Sequence, residues 1–182
     1  MSEKYKIKRP EGIYFVTFTI TDWIDIFIRP VYRHIIIDSL TYCQENKNLL
    51  IHAYVIMSSH LHAIFSVDGK IELQDIIRDF KKHTSKEIVK AIQEYPESRR
   101  EWVLSGFENA ARRIKRGKYN KVWQDGFHPV ELDNNMIIEQ RLNYIHQNPV
   151  EEEIVFRAED YKYSSAIDYS GGKGVLSIIK LE

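Results

Sequence analysis

Along residues 14–20, Tyr14, Val16, Phe18 and Ile20 alternate with Phe15, Thr17 and Thr19. A repeat of two, rich in β-branched and aromatic types, predicts a strand. After Pro30 the period changes. Val31, Tyr32, Ile35, Ile36, Leu40 and Cys43 recur at helical spacing, which predicts an amphipathic helix ending near Asn46-Lys47-Asn48. Leu49 to Met57 reads as a buried strand, Ser58-Ser59 as a tight turn, and His60 to Val67 as the antiparallel partner, closed by Asp68-Gly69. Leu73, Ile76, Ile77, Phe80, Ile88 and Ile92 then predict a long helix over 71–95, stopped by Pro96, with Lys81, Lys82, Lys86 and Lys90 on its outer face.

Another helix is expected over 99–114, with Trp102, Val103 and Phe107 as its apolar side. Val122-Trp123 and Val130-Glu131-Leu132 read as short strand pieces. Asp133-Asn134 reads as the N-cap of a helix through Asn148, with Pro149 marking its end. Beyond it, Tyr161, Tyr163, Tyr169 and Gly171-Gly172 mark an aromatic-anchored coil with a short terminal strand at Val175 to Ile179. The order strand, helix, hairpin, helix, strand, helix predicts an α+β fold with helices on a central antiparallel sheet, for which a ferredoxin-like topology is the economical choice. No internal repeat or linker interrupts it. With roughly 150 residues per domain as a guide, residues 1–182 are expected to form a single domain.

Composition narrows the picture. At 43% hydrophobic and 29% charged residues, collagen-like, low-complexity and wholly disordered classes are excluded. Cys43 is the only cysteine, so an intramolecular disulfide, a multi-cysteine zinc ribbon and an iron–sulfur cluster are excluded, and a reducing, cytoplasmic location is expected. The charged start, Met1 to Pro10, lacks the pattern of a secretory leader. No apolar stretch approaches the roughly 20 residues of a membrane helix, so no membrane partner is expected.

Basic and acidic residues balance at 26 each, but they are segregated. Arg112, Arg113, Lys115, Arg116, Lys118 and Lys121 fall between Asn109 and Gln124 without an acidic residue, whereas Glu151, Glu152, Glu153, Glu159 and Asp160 crowd the chain after Pro149. A basic run beside Tyr119, Trp123 and Phe127 has the cations and rings that single-stranded nucleic acid takes up; a solvated face is the other reading.

Candidate chemistry lies on the hairpin and the last long helix. Side chains alternate along a strand, so His60 and His62 share one face of the second hairpin strand with Ile64 and Ser66. Two imidazoles at that spacing can converge on one cation, or stand as a hydrogen-bonded pair. A two-residue turn sets Met57 opposite His60 and Val55 opposite His62, which puts His52 on the other face. On the helix before Pro149, Ile137, Arg141, Tyr144 and Asn148 lie near one stripe. Tyr144 is a packed tyrosine or a nucleophile, and Asn148 a capping residue or a ligand. A phenol with an ordinary pKa near 10 attacks at neutral pH only where a cation has polarised its target.

Four ordered segments resemble one family. Ala53-Tyr54-Val55-Ile56-Met57-Ser58-Ser59-His60-Leu61-His62-Ala63-Ile64-Phe65 is similar to the hairpin signature of single-tyrosine HUH transposases, and among them of REP-associated tyrosine transposases, with Ser58-Ser59 replacing Pro-Asn. Tyr144-Ile145-His146-Gln147-Asn148-Pro149-Val150 resembles their nucleophile helix. Val122 to Phe127 and Tyr161 to Ala166 resemble further landmarks in the same order.

The resemblance implies an HUH-endonuclease type of α+β fold and a divalent metal, manganese or magnesium, on His60, His62 and Asn148. It implies Tyr144 as the catalytic nucleophile on single-stranded, hairpin-forming DNA. A covalent 5′-phosphotyrosine, a free 3′-OH and strand rejoining follow, in a monomer or homodimer. The acidic run Glu151-Glu152-Glu153 departs from the basic or small residues that family members often carry there. Two other functions fit the same residues: a domesticated, non-catalytic binder of single-stranded DNA or hairpins, and a small hydrolase using a metal-bound water.

Overall fold

The computed structural model describes residues 7, 9–113 and 120–181. Strand β1 (Tyr14–Thr19) leads through two single turns to helix α1 (Pro30–Lys47). The hairpin β2 (Leu49–Ile56) and β3 (His60–Val67) follows, then α2 (Leu73–Glu94), α3 (Arg100–Arg113), β4 (Val130–Glu131), α4 (Asn135–Glu151) and the short α5 (Ala166–Tyr169). The four strands form one antiparallel sheet in the order β2-β3-β1-β4. That order, with α1 and α2 as the two crossovers, is the ferredoxin-like arrangement.

Local chemistry places the ends of these elements. Pro30 starts α1, where its missing N–H costs nothing, and Asn48 ends it in the left-handed region at φ 53°. Tyr95 is extended before Pro96, which stops α2. The Asn134 carboxamide accepts a hydrogen bond from the Ile137 N–H at 3.0 Å and caps α4.

Alternation on β1 and β3 gives the sheet two unlike faces. Phe18 and Phe65 point toward α1 and α2, where Phe18 meets Phe80 at 5.6 Å and Trp123 at 6.2 Å between ring centroids. Ile36 and Leu40 of α1 and Ile76, Ile77 and Phe80 of α2 complete this buried layer. Helix α4 covers the opposite face, over Phe15 and His62.

Several expectations are corrected. Pro149 lies inside α4, which runs on to Glu151. A proline gives up its own N–H bond and its ring crowds the carbonyl four residues back, but its fixed φ is helical, so near a helix end the last turn can continue beyond it. Lys81 is not on the outer face of α2: its ammonium donates to the Gln124 and Gly126 carbonyls at 2.7 and 2.8 Å, and burial pushes its pKa down to about 8. Trp102 is exposed, and the buried side of α3 is Val103, Phe107, Ala110 and Ala111. Val175 to Ile179 forms no strand; the Ile179 N–H donates to the Ile51 carbonyl and the Ile179 carbonyl meets the His52 ring, which ties it to β2.

Candidate active site

The hairpin register is the one a two-residue turn requires. Val55 faces His62, and the Met57 N–H donates to the His60 carbonyl at 2.8 Å. Both histidines are buried on the face under α4, with ring centroids 4.8 Å apart. Strand β1 supplies their floor: Thr17 lies opposite His62 and Thr19 opposite His60. Phe15 stacks on the His62 ring at 5.4 Å, and the Thr17 hydroxyl is 2.8 Å from His62 Nδ1.

Helix α4 brings Tyr144 to the same point. Its hydroxyl lies 3.3 Å from His62 Nε2, and the residue remains 38% exposed, so one side of the phenol is open to an incoming group. Two tautomers satisfy both contacts, because each hydroxyl can donate or accept. Ligation of a cation through Nε2 takes the one in which Nδ1–H donates to Thr17 Oγ1, and Thr17 then gives the supporting hydrogen bond of a ligating histidine.

Burial, then the neighbouring His60, then the Arg141 charge push the His62 pKa down to about 3. Burial also lowers that of His60, partly offset by the adjacent Asn148 carboxamide. Both imidazoles are therefore neutral near pH 7, the form that binds a cation.

Asn148 decides whether the site suits a metal. It is buried with its carboxamide within electrostatic reach of the His60 ring, and among the described residues no hydrogen bond reaches its Oδ1. An unpaired buried carbonyl oxygen costs about 1–3 kcal/mol unless something else occupies it. Since α4 continues past it, Asn148 is not the helix cap. Among the described residues no group of three or more His, Cys, Asp or Glu side chains could hold a metal ion. The set here is two imidazole nitrogens and one amide oxygen, and its neutral, oxygen-poor make-up fits an open divalent site with room for phosphate oxygens.

His52 departs from its expected place. The strand pairing shifts by one residue between Ile51 and Ala53, so His52 sits in a bulge. Its Nε2 reaches Ser66 Oγ and its Nδ1 reaches the Ile179 carbonyl, both at 2.8 Å. A bulge redirects a side chain that strict alternation would send to the other face. Both ring nitrogens are engaged, so His52 is no third ligand.

The family model "Transposase IS200 like" matches residues 18–148, a span that includes both histidines, Tyr144 and Asn148. The chain belongs to the IS200-like transposase family. This IS200-like transposase resembles the structure of a REP-associated tyrosine transposase bound to a REP hairpin, with a TM-score of 0.64 and 19% identity over 100% of this chain and 94% of that one. It is of the single-tyrosine HUH type, with the REP-associated fold. A Deinococcus radiodurans protein assigned as a transposase aligns with a TM-score of 0.45 and 13% identity over 80% of this chain and 94% of that one. No curated protein sequence matches. No helix among the described residues is long and apolar enough to cross a membrane.

The basic run of the transposase is more compensated than its sequence implied. Arg112 pairs with Glu108 at 3.5 Å, Arg113 with Asp22, and Lys121 with Asp125 at 2.6 Å. Lys115, Arg116, Lys118 and the neighbouring Tyr119 lie outside the described residues. Trp123 is buried, donating its indole N–H to Thr84 Oγ1 at 3.0 Å, and so offers no surface for stacking. Glu151, Glu152 and Glu153 are all exposed.

Sequence reasoning missed Phe15, Thr17 and Trp23, because only the pairing of β1 with β3 brings them beside the histidines. It noted Arg141 on the Tyr144 stripe without giving it a task. The Arg141 guanidinium lies 4.9 Å from the Phe15 ring centroid, with a buried and unpartnered Nε.

Proposed function

We propose that this transposase cleaves and rejoins single-stranded DNA, with Tyr144 as the nucleophile. The observation that carries this reading is the hydroxyl of the partly exposed Tyr144, 3.3 Å from His62 Nε2 and beside His60 and the Asn148 Oδ1. His60, His62 and Asn148 would hold a divalent cation, manganese or magnesium, which supplies Lewis-acid neutralisation of a phosphate oxygen. The Nε2 lone pair serves one partner at a time, so the phenol contact belongs to the resting site.

In the cleavage step the Tyr144 oxygen forms a bond to phosphorus and the P–O3′ bond breaks. The phenolic proton is lost and the departing O3′ gains one, so the products are a 5′-phosphotyrosine and a 3′-OH. The ester conserves the bond energy, and attack by a 3′-OH reverses the step to join strands. Arg141, three residues before Tyr144 on α4, offers a guanidinium for the phosphate. Hairpin-forming DNA is the substrate we favour, since the REP-associated relative was solved with a hairpin. A cytoplasmic location and action as a monomer or homodimer belong to this same reading. The test is a covalent protein–oligonucleotide adduct on a denaturing gel with manganese. A non-catalytic binder would bind the same DNA and form none, and a hydrolase would turn over without trapping the tyrosine.

A further inference from the structure

The turn between β1 and α1 is unusual in its backbone. Asp22 and Trp23, neither of them glycine, both adopt left-handed φ values, 53° and 56°. L residues seldom do so in succession, and such conformations persist only where the surroundings hold them. Here they are held on every side. The Thr21 N–H donates to the Val122 carbonyl at 2.8 Å, the Trp23 N–H donates to the Ile20 carbonyl at 3.0 Å, and Arg113 grips the Asp22 carboxylate. Ile24 is buried against Gly106 of α3, where an added Cβ would come within 2.8 Å of its Cδ1.

What this turn presents is the Trp23 indole, 60% exposed, with its ring centroid 5.5 Å from that of His60. Burial cannot explain its position, since most of its surface meets water. Four rings then form a chain of contacts, Tyr144 to His62 to His60 to Trp23, with successive centroids 5.0, 4.8 and 5.5 Å apart.

The order of those contacts assigns a side. In an in-line displacement the attacking and leaving oxygens lie on opposite sides of phosphorus. Tyr144 meets the His62 end of this chain of contacts and Trp23 the His60 end, so Trp23 lies away from the attacking phenol, the side to which an in-line displacement sends O3′. Resting on the cleavage reading above, we infer that Trp23 is the stacking platform for the nucleobase immediately 5′ of the scissile phosphate. It thereby holds the 3′-OH strand in place for rejoining. An aromatic face accepts any base, so this contact positions the strand without reading its sequence.

The experiment combines three variants of the full chain with an abasic scan. Trp23→Asn removes the ring but keeps a residue that tolerates left-handed backbone, Trp23→Phe keeps a smaller ring, and Trp23→Ala removes both. Binding of oligonucleotides carrying one abasic site at each position in turn is measured without metal. The bond cleaved is mapped separately from the wild-type adduct with manganese. Base stacking of this kind is worth roughly tenfold in affinity.

Trp23→Asn and Trp23→Ala should lose about that factor on intact DNA, with Trp23→Phe restoring most of it. They should lose nothing further when the base 5′ of the cleaved bond is absent. Abasic sites elsewhere should cost the variants and the wild type equally. Coupling to the base 3′ of the bond, or to no position, overturns the assignment. A wild type that forms no adduct on any oligonucleotide overturns the cleavage reading instead, and the scan still decides whether Trp23 stacks on a base.

Discussion

The two faces of the sheet are made by the same strands, yet they hold opposite chemistry. Toward α1 and α2, Phe18 and Phe65 meet Phe80 and Trp123, and the Trp123 indole donates to Thr84. Toward α4, His60, His62 and Asn148 are buried to a similar degree. There the imidazoles are held neutral and an amide oxygen is left unpaired. Burial by itself therefore does not mark the site. What marks it is the kind of group buried there, two neutral imidazoles and an amide oxygen beside a partly exposed phenol, where the other face buries aromatic rings.

The largest effect that breaks this contrast comes from the packed face. Phe18→Ala should lower unfolding free energy by about 3–5 kcal/mol in urea titrations, the usual loss for a buried phenylalanine. The manganese needed for half-maximal cleavage at low temperature should stay unchanged. If that requirement rises with the loss of stability, the two faces are not independent.

On the other face the ranking reverses. Thr17→Val keeps shape but removes the hydroxyl that supports His62 as a ligand, so the metal requirement for cleavage should rise about 10- to 100-fold. Stability should fall by no more than about 1–2 kcal/mol. Isothermal titration with manganese reads the first and urea the second. Asn148→Ala belongs beside it, with Asn148→Gln expected to keep part of the activity because it retains an amide oxygen. Superimposable metal curves for wild type and Asn148→Ala would remove that oxygen from the site.

A further effect follows from acid. Burial holds His62 down to about 3 and His146, on the same helix with Nε2 3.0 Å from Ser165 Oγ, down to about 4. In the unfolded chain both titrate near 6.5. Above that value neither state binds the protons and the full stability is present. As pH falls from 6.5 toward 4, the unfolded chain takes up protons that the folded one refuses, so stability drops. The urea midpoint should therefore fall between pH 7 and about pH 5.5, a window that lies above the ordinary range of the carboxylates. A midpoint that holds or rises over that window would contradict neutral burial of the two rings.

The contrast between the faces also explains what the sequence made legible. Strict alternation in β1 and β3 and the Val55–His62 register could be read directly, because both are local. The Asn134 cap and the helix that carries Tyr144 were legible for the same reason. The misses all needed a second element. No local signal says that Trp123 turns inward onto Thr84 while Trp102 stays in water, since both flank similar apolar neighbours. His52 escaped alternation through a bulge without glycine, and Asp22 neutralises Arg113 across 91 positions of chain. Thr17 became visible only when β1 took its register against β3.

The central claim is that Tyr144 is the nucleophile, and covalent trapping tests it most directly. Wild type and Tyr144→Phe are incubated with single-stranded, hairpin-forming oligonucleotides and manganese, resolved on a denaturing gel, and the linked peptide is mapped by mass spectrometry. The account predicts an adduct on Tyr144 in the wild type. It predicts none in Tyr144→Phe, whose DNA affinity should stay within a few-fold because only one oxygen is lost and the ring packing is kept. An adduct that persists in Tyr144→Phe, or one mapped to another residue, would contradict it.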